Sequence, residues 1–155
     1  MISDTFAFIA SRKAFAAIFL AITLVSPGLA EPLYVNETKA RIRSGPGTEY
    51  NILWETPQFT PLEYLAKYKD WYAVRDFQRD VGWVHEDSVK AGKSAIVTES
   101  TANIRKNPDL DSPIVFVAEK HYLFLVKEIK GSWLKIKDAE GDEGWIHEKL
   151  VWVSQ

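Results

Sequence analysis

Shifted by 62 residues, the chain aligns with itself without a gap. Ala40-Arg41-Ile42-Arg43 meets Ala102-Asn103-Ile104-Arg105, Pro46 meets Pro108, Ile52 meets Ile114, Trp71 meets Trp133 and Asp76 meets Asp138. The strongest stretch sets Gly82-Trp83-Val84-His85-Glu86 against Gly144-Trp145-Ile146-His147-Glu148. One offset held over about 60 residues, keeping the rare residue tryptophan at two places, marks a true internal repeat. It defines two copies, residues 33–93 and 95–155, joined at Lys90-Ala91-Gly92-Lys93-Ser94. Whatever fold the chain adopts must therefore be a small unit made twice.

Inside each copy the patterning is that of strands. β-rich or alternating runs fall at 39–43, 52–55, 62–66, 71–75 and 82–85 in the first copy. Ser44-Gly45-Pro46-Gly47, Pro57 to Pro61, Lys69-Asp70 and Gln78-Arg79-Asp80 separate them with turn residues. No long window of residues 31–155 holds a capped helical period. Short strands so closely spaced predict an all-β protein, two tandem small barrels whose closed sheets leave no exposed edges.

Residues 1–30 read differently. Ala14 to Val25 is an uncharged apolar run preceded by Arg12-Lys13 and followed by Ser26-Pro27-Gly28-Leu29-Ala30. This is the three-part pattern of a signal peptide, with cleavage expected after Ala30 and a periplasmic or secreted location. Twelve residues of helix would span about 18 Å, well short of a bilayer core of about 30 Å, so no membrane span is expected after cleavage. The formal charge of −2 becomes −3 without the leader, which argues against nucleic acid as a partner, because phosphate neutralisation needs a basic face. There is no cysteine, which excludes disulfides, thiolate metal sites and a cysteine nucleophile. Six tryptophans, six tyrosines and four phenylalanines beyond residue 30 supply apolar area that a small domain without cross-links needs.

The run Ala40 to Tyr50 (ARIRSGPGTEY) resembles the opening N-[IV]-R-S-G-P-G-T-x-Y pattern of the bacterial SH3-like (SH3b) family. Asp70-Trp71-Tyr72-Ala73-Val74-Arg75 resembles its x-W-x-x-V strand, and Gly82-Trp83-Val84-His85 and Gly144-Trp145-Ile146-His147 resemble its closing G-W-V-H strand. In the second copy Arg105-Lys106-Asn107-Pro108-Asp109 lacks both loop glycines. The resemblance implies a five- to six-stranded half-open barrel in each copy, a tandem SH3b protein with no attached enzyme domain, and a role in binding cell-wall peptides, glycan-linked ligands or proteins. Fold kinship alone does not fix function.

Trp71, Trp83, Trp133 and Trp145, with Ile42 and Ile104, recur in both copies and are expected in the structural core. His85 and His147 each close a strand, and their expected task is to orient the departing chain by hydrogen bonding. With His121 the only other histidine, a catalytic zinc site is not expected, nor is any other metal or cofactor. No nucleophile elbow, P-loop or dinucleotide fingerprint occurs, so no catalytic residue is assigned and the protein is read as a non-enzyme. The first copy carries surplus aromatics: Tyr50, Trp54, Tyr64, Tyr68, Tyr72 and Phe77 stand where the second has Ser112, Phe116, Val126, Lys130, Leu134 and Ala139. These rings either line an exposed groove near the Ser44–Tyr50 loop or fill the seam between the barrels, and the sequence leaves both open. On the groove reading, Arg43, Tyr50, Trp54, Tyr68, Tyr72 and Phe77 bind a cell-wall peptide, peptidoglycan or a partner protein. Arg41, Arg75 and Arg79 offer further carboxylate partners. The competing reading is a structural adaptor in an envelope complex with no small-ligand site.

Overall fold

The computed structural model describes residues 31–155, so the leader and its cleavage site lie outside the described residues. The first module contains seven strands: β1 (Leu33–Val35), β2 (Lys39–Arg43), β3 (Ile52–Pro57), β4 (Pro61–Tyr68), β5 (Trp71–Arg75), β6 (Val81–His85) and β7 (Val89–Ala91). The second contains β8 (Ser94–Val97), β9 (Thr101–Arg105), β10 (Ile114–Glu119), β11 (Leu123–Lys130), β12 (Trp133–Lys137), β13 (Glu143–His147) and β14 (Val151–Val153). Every strand from β2 to β7 reappears at the offset read from the sequence. A one-turn 3-10 helix, Glu86–Ser88 or Glu148–Leu150, precedes the last strand of each module.

Strand order is β3-β2-β6-β5-β4-β1-β7 in one sheet and β10-β9-β13-β12-β11-β8-β14 in the other. All the pairings are antiparallel. Two expectations need correction. Each sheet has seven strands, because β1 and β7 are three residues long and too short to show alternation. And neither sheet closes: β3 and β7 remain ends in the first, β10 and β14 in the second. The β3 edge carries Glu55, ion-paired with Lys39 and Arg41, and ends in Pro57, features that discourage pairing with another strand.

Burial follows the period of two. β2 and β9 share one pattern of exposed and buried residues, as do β3 and β10, and β6 and β13. Leu33, Val35, Ala40, Ile42, Leu62, Val74, Val84 and Val89 fill the first core. Val97, Ala102, Ile104, Ala118, Phe124, Leu134, Ile136 and Ile146 fill the second. Ile42 and Ile104 thus sit where the sequence reading put them. The four tryptophans do not: Trp71, Trp83, Trp133 and Trp145 stay half-buried. On β6 the reason is alternation. Gly82 and Val84 are buried, so Trp83 between them projects from the opposite face of the sheet.

The backbone repeats even where the residues do not. Phe59 and His121 take φ of 65° and 69°, Lys69 and Gly131 take 52° and 58°, and Arg79 and Gly141 take 73° and 102°. Asp76 and Asp138, both buried, tie the loop before β6 or β13 in the same way. Asp76 Oδ1 accepts from the N–H of Gln78 and Asp80, and Asp138 Oδ1 from those of Gly141 and Asp142.

The modules meet along a seam. All four residues of β8 are buried, and β8 also lies against β4 of the first module. Ile96 shares a cleft with Trp54 and Phe77 of the first module, and the Phe77 ring lies 5.4 Å from that of His121.

A Cβ built on Gly82 would overlap Ile42 Cγ2, and one on Gly144 would overlap Ile104 Cγ2. Gly82→Ala and Gly144→Ala are therefore expected to cost about 1–3 kcal/mol each by overpacking, read by urea denaturation. Tyr122 donates to Asp138 Oδ2 at 3.2 Å, and burial, then the charges of Asp138 and Glu140, push its pKa from 10.0 up to about 12. The fold favours the neutral phenol, so this contribution is complete below pH 10 and is lost as pH rises towards 12. Because Tyr122 is 37% exposed, solvent screening keeps the effect below about 1 kcal/mol. The expected outcome is a steeper loss of stability between pH 10 and 12 for the parent protein than for Tyr122→Phe.

Candidate functional site

A cleft of about 440 Å³ opens on the outward face of the first sheet. Trp71 and His85 are cross-strand partners on β5 and β6, with ring centroids 5.2 Å apart in an edge-to-face arrangement. Arg43 pairs with Trp83 across β2 and β6, which brings its guanidinium to the same face, and Arg41 follows at the same period. Glu37, Thr48, Glu55 and Ser88 complete the walls with Lys39.

The loop between β2 and β3 shapes one side. Arg43 Nη1 donates to the carbonyls of Thr48 (3.0 Å) and Tyr50 (2.8 Å), which holds the loop onto the sheet. The Tyr50 ring lies directly over Gly45, where any side chain would collide with it. The second module solves the same problem otherwise: Ser112 Oγ accepts from Asn107 N–H at 2.9 Å, and Arg105 Nη1 donates to Ser112 O at 2.8 Å. Loss of the glycine at the position of Gly45, where Asn107 stands in the second copy, is thus compensated by loss of the tyrosine.

Three cations face two carboxylates in the cleft. Glu55 accepts from Lys39 at 2.8 Å and from Arg41 Nε at 3.4 Å, and these contacts, Lys39 first, hold its carboxyl below the ordinary 4.5. Arg41 reaches Glu55 through Nε, and its side chain is exposed. The aligned positions in the second module carry Thr101, Asn103, Leu110, Val117 and Leu150 in place of Lys39, Arg41, Thr48, Glu55 and Ser88. Trp133 and His147 nonetheless repeat the edge-to-face pair at 5.2 Å. The aromatic floor is common to both modules, while Lys39, Arg41 and Glu55 of the walls have uncharged counterparts in the second.

The six residues expected to form one aromatic groove are spread over three places. Arg43 and Tyr50 flank the cleft. Trp54 and Phe77 line the seam. Tyr72 packs edge-on with Tyr64 at 5.7 Å against the core, with Lys67 over its ring, while Tyr68 stands exposed at the tip of the β4–β5 hairpin beneath Lys69. Arg75 is engaged by Glu63. The six do not come together in one groove. Trp71 and His85 were assigned structural duties by the sequence reading. The signal that could have moved them outward was the buried-type neighbours on either side of Trp83.

Both histidines do organise the exit from the closing strand. His85 Nδ1 accepts from Asp87 N–H at 3.3 Å, and His147 Nδ1 from Lys149 N–H at 3.2 Å, each capping its 3-10 turn. Among the described residues no group of three or more His, Cys, Asp or Glu could hold a metal ion, and no helix is long and apolar enough to cross a membrane.

Two small antiparallel modules of one design, each with a loop folded over an outward Trp–His pair, define a tandem SH3-like protein. Residues 38–90 and 98–153 each match a family model described as a bacterial SH3 domain, and the chain belongs to that family, with two copies in tandem. It is similar to YrvJ of Bacillus subtilis (strain 168), a protein named for N-acetylmuramoyl-L-alanine amidase activity, at 23% identity over 147 residues. The match covers 83% of this chain and 28% of that protein. Similar solved structures include NlpC2 from Trichomonas vaginalis, at TM-score 0.36 and 12% identity over 79% of this chain and 47% of that one. An NlpC/P60 family protein from Bacillus cereus ATCC 10987 matches at TM-score 0.37 and 10% identity, over 80% and 56% of the two chains. Likeness at these scores carries no weight.

His85→Ala and His147→Ala are each expected to cost about 0.5–1.5 kcal/mol by removing the acceptor at the cap. Hydrogen exchange at the Asp87 and Lys149 amides should rise in the respective variants.

Proposed function

We propose that the chain is a secreted envelope module that binds cell-wall peptide through the cleft of its first SH3 domain. The observation that carries this reading is the placement of Arg41 and Arg43 beside the outward Trp71–His85 pair. An open trough with an aromatic floor accepts an extended peptide, and guanidinium groups on its wall match carboxylates bidentately. The short stem peptides of peptidoglycan present such carboxylates. Similarity to a protein named for an amidase that acts on N-acetylmuramoyl-L-alanine supports the same substrate environment. The leader pattern of residues 1–30 supports delivery to the periplasm or beyond. On this reading the molecule acts by binding, and the second module, where Thr101, Asn103 and Val117 replace Lys39, Arg41 and Glu55, holds and extends the first.

Retention on purified sacculi and calorimetric titration with a soluble stem tetrapeptide test the proposal. Arg41→Ala and Trp71→Ala are each expected to weaken binding about tenfold, the size of one lost charge-assisted contact. Asn103→Ala, at the aligned place in the second module, should leave it unchanged. Equal retention of all variants, or none by the parent protein, would favour the structural adaptor instead.

A further inference from the structure

We infer that the seam between the two modules is a separate binding site, for a neutral sugar ring. The reading does not rest on the cleft described above, from which it differs in every lining residue.

The argument begins with a carboxylate. Asp76 is only 8% exposed, and its two backbone hydrogen bonds both end on Oδ1. In the second module the other oxygen of the equivalent Asp138 receives the Tyr122 hydroxyl. The first module has Thr60 where Tyr122 would be, and the single Thr60 proton goes to Pro57 O at 2.7 Å. Thr56 in turn donates to Thr60 rather than to the aspartate. Asp76 Oδ2 is therefore left without the donor that its twin possesses, and Asp76 lines the seam cleft. That oxygen keeps some exposure, so it can accept from a donor that arrives from outside.

What surrounds it selects the visitor. The cleft measures about 290 Å³, near the lower end for ligand sites, which suits one or two rings. Trp54 and Phe77 give it flat apolar faces, with Phe77 tilted against the His121 ring. Gln78 and His121 add neutral groups that both donate and accept. An ammonium ion brings donors only, so the donor groups of the Gln78 amide and the imidazole would find no acceptor on it. A pyranose uses all of them: its C–H face lies on the rings and its hydroxyls donate to Asp76 and exchange hydrogen bonds with Gln78 and His121. The site needs both modules, because Ile96, His121 and Leu123 come from the second and the remaining groups from the first. Phe77 and Trp54 stand where the second module has Ala139 and Phe116, so a second site of this composition is not repeated there.

Titration of the full chain with β-1,4-linked trisaccharides of glucose and of N-acetylglucosamine, followed by amide and side-chain NMR, tests the inference. Binding near the millimolar range is expected, with shifts at the Trp54 indole, the Gln78 amide and His121. Phe77→Ala, which copies the residue that the second module already tolerates, should weaken binding at least tenfold, and Asp76→Asn should do likewise. No shift with either sugar at about 10 mM, or binding of 1,5-diaminopentane in place of sugar, overturns the inference. Sugar shifts confined to Trp71 and His85 also overturn it, while leaving the cleft reading intact. Unchanged binding by Phe77→Ala would do the same.

Discussion

The close approach of β6 to β2 governs the first module, and that of β13 to β9 the second. The two strands of each pair share a single register point, Arg43 with Trp83 or Trp145 with Arg105. A glycine at 82 or 144 lets the backbone come down onto Ile42 or Ile104, so the core isoleucine fills the space that a side chain would otherwise take. With that contact made, alternation dictates the rest. Val84 and Ile146 fall into their cores, and Trp83 and Trp145 must face out. In the first module the same contact sets Arg43 beside an indole, where it can hold the neighbouring loop by its carbonyls.

Much of this was written in the chain. The offset of the repeat recovers every strand from the second to the seventh, because registers and turn conformations are properties of backbone geometry that both copies must satisfy. Turn residues marked the hairpins. What stayed hidden was of two kinds. Three-residue strands such as Leu33–Val35 are too brief for alternation to register, and sheet closure depends on pairing between distant strands. The tryptophans show the second kind. Recurrence says that Trp71 and Trp83 are required in both copies, but requirement is common to a core and to an outward face. The placement of Gly82 and Val84 on either side of Trp83 held the answer, and it becomes decisive only when the core partners of those two residues are known.

The differences between the copies carry more functional information than the likenesses. A shared aromatic floor carries Lys39, Arg41 and Glu55 on its walls only in the first module, and a shared aspartate turn lacks its tyrosine donor only there. Both changes are side-chain substitutions on an unchanged backbone. Duplication thus leaves one copy to keep the plain version of the design while the other is modified, and the plain copy serves as an internal reference for what the modified residues do.

Strand β8 has a consequence for how the chain comes into being. Its hydrogen bonds belong to the second module, yet the cover on Ile96 is supplied partly by the first. A nascent chain finishes residues up to Ala91 before β8 is made, so the second unit is born onto a completed surface rather than beside an unfinished one. Synthesis from the amino end matches the direction in which the surface becomes available. The second unit, cut free, would begin life with Ile96 facing water, while Val97 stays in its own core.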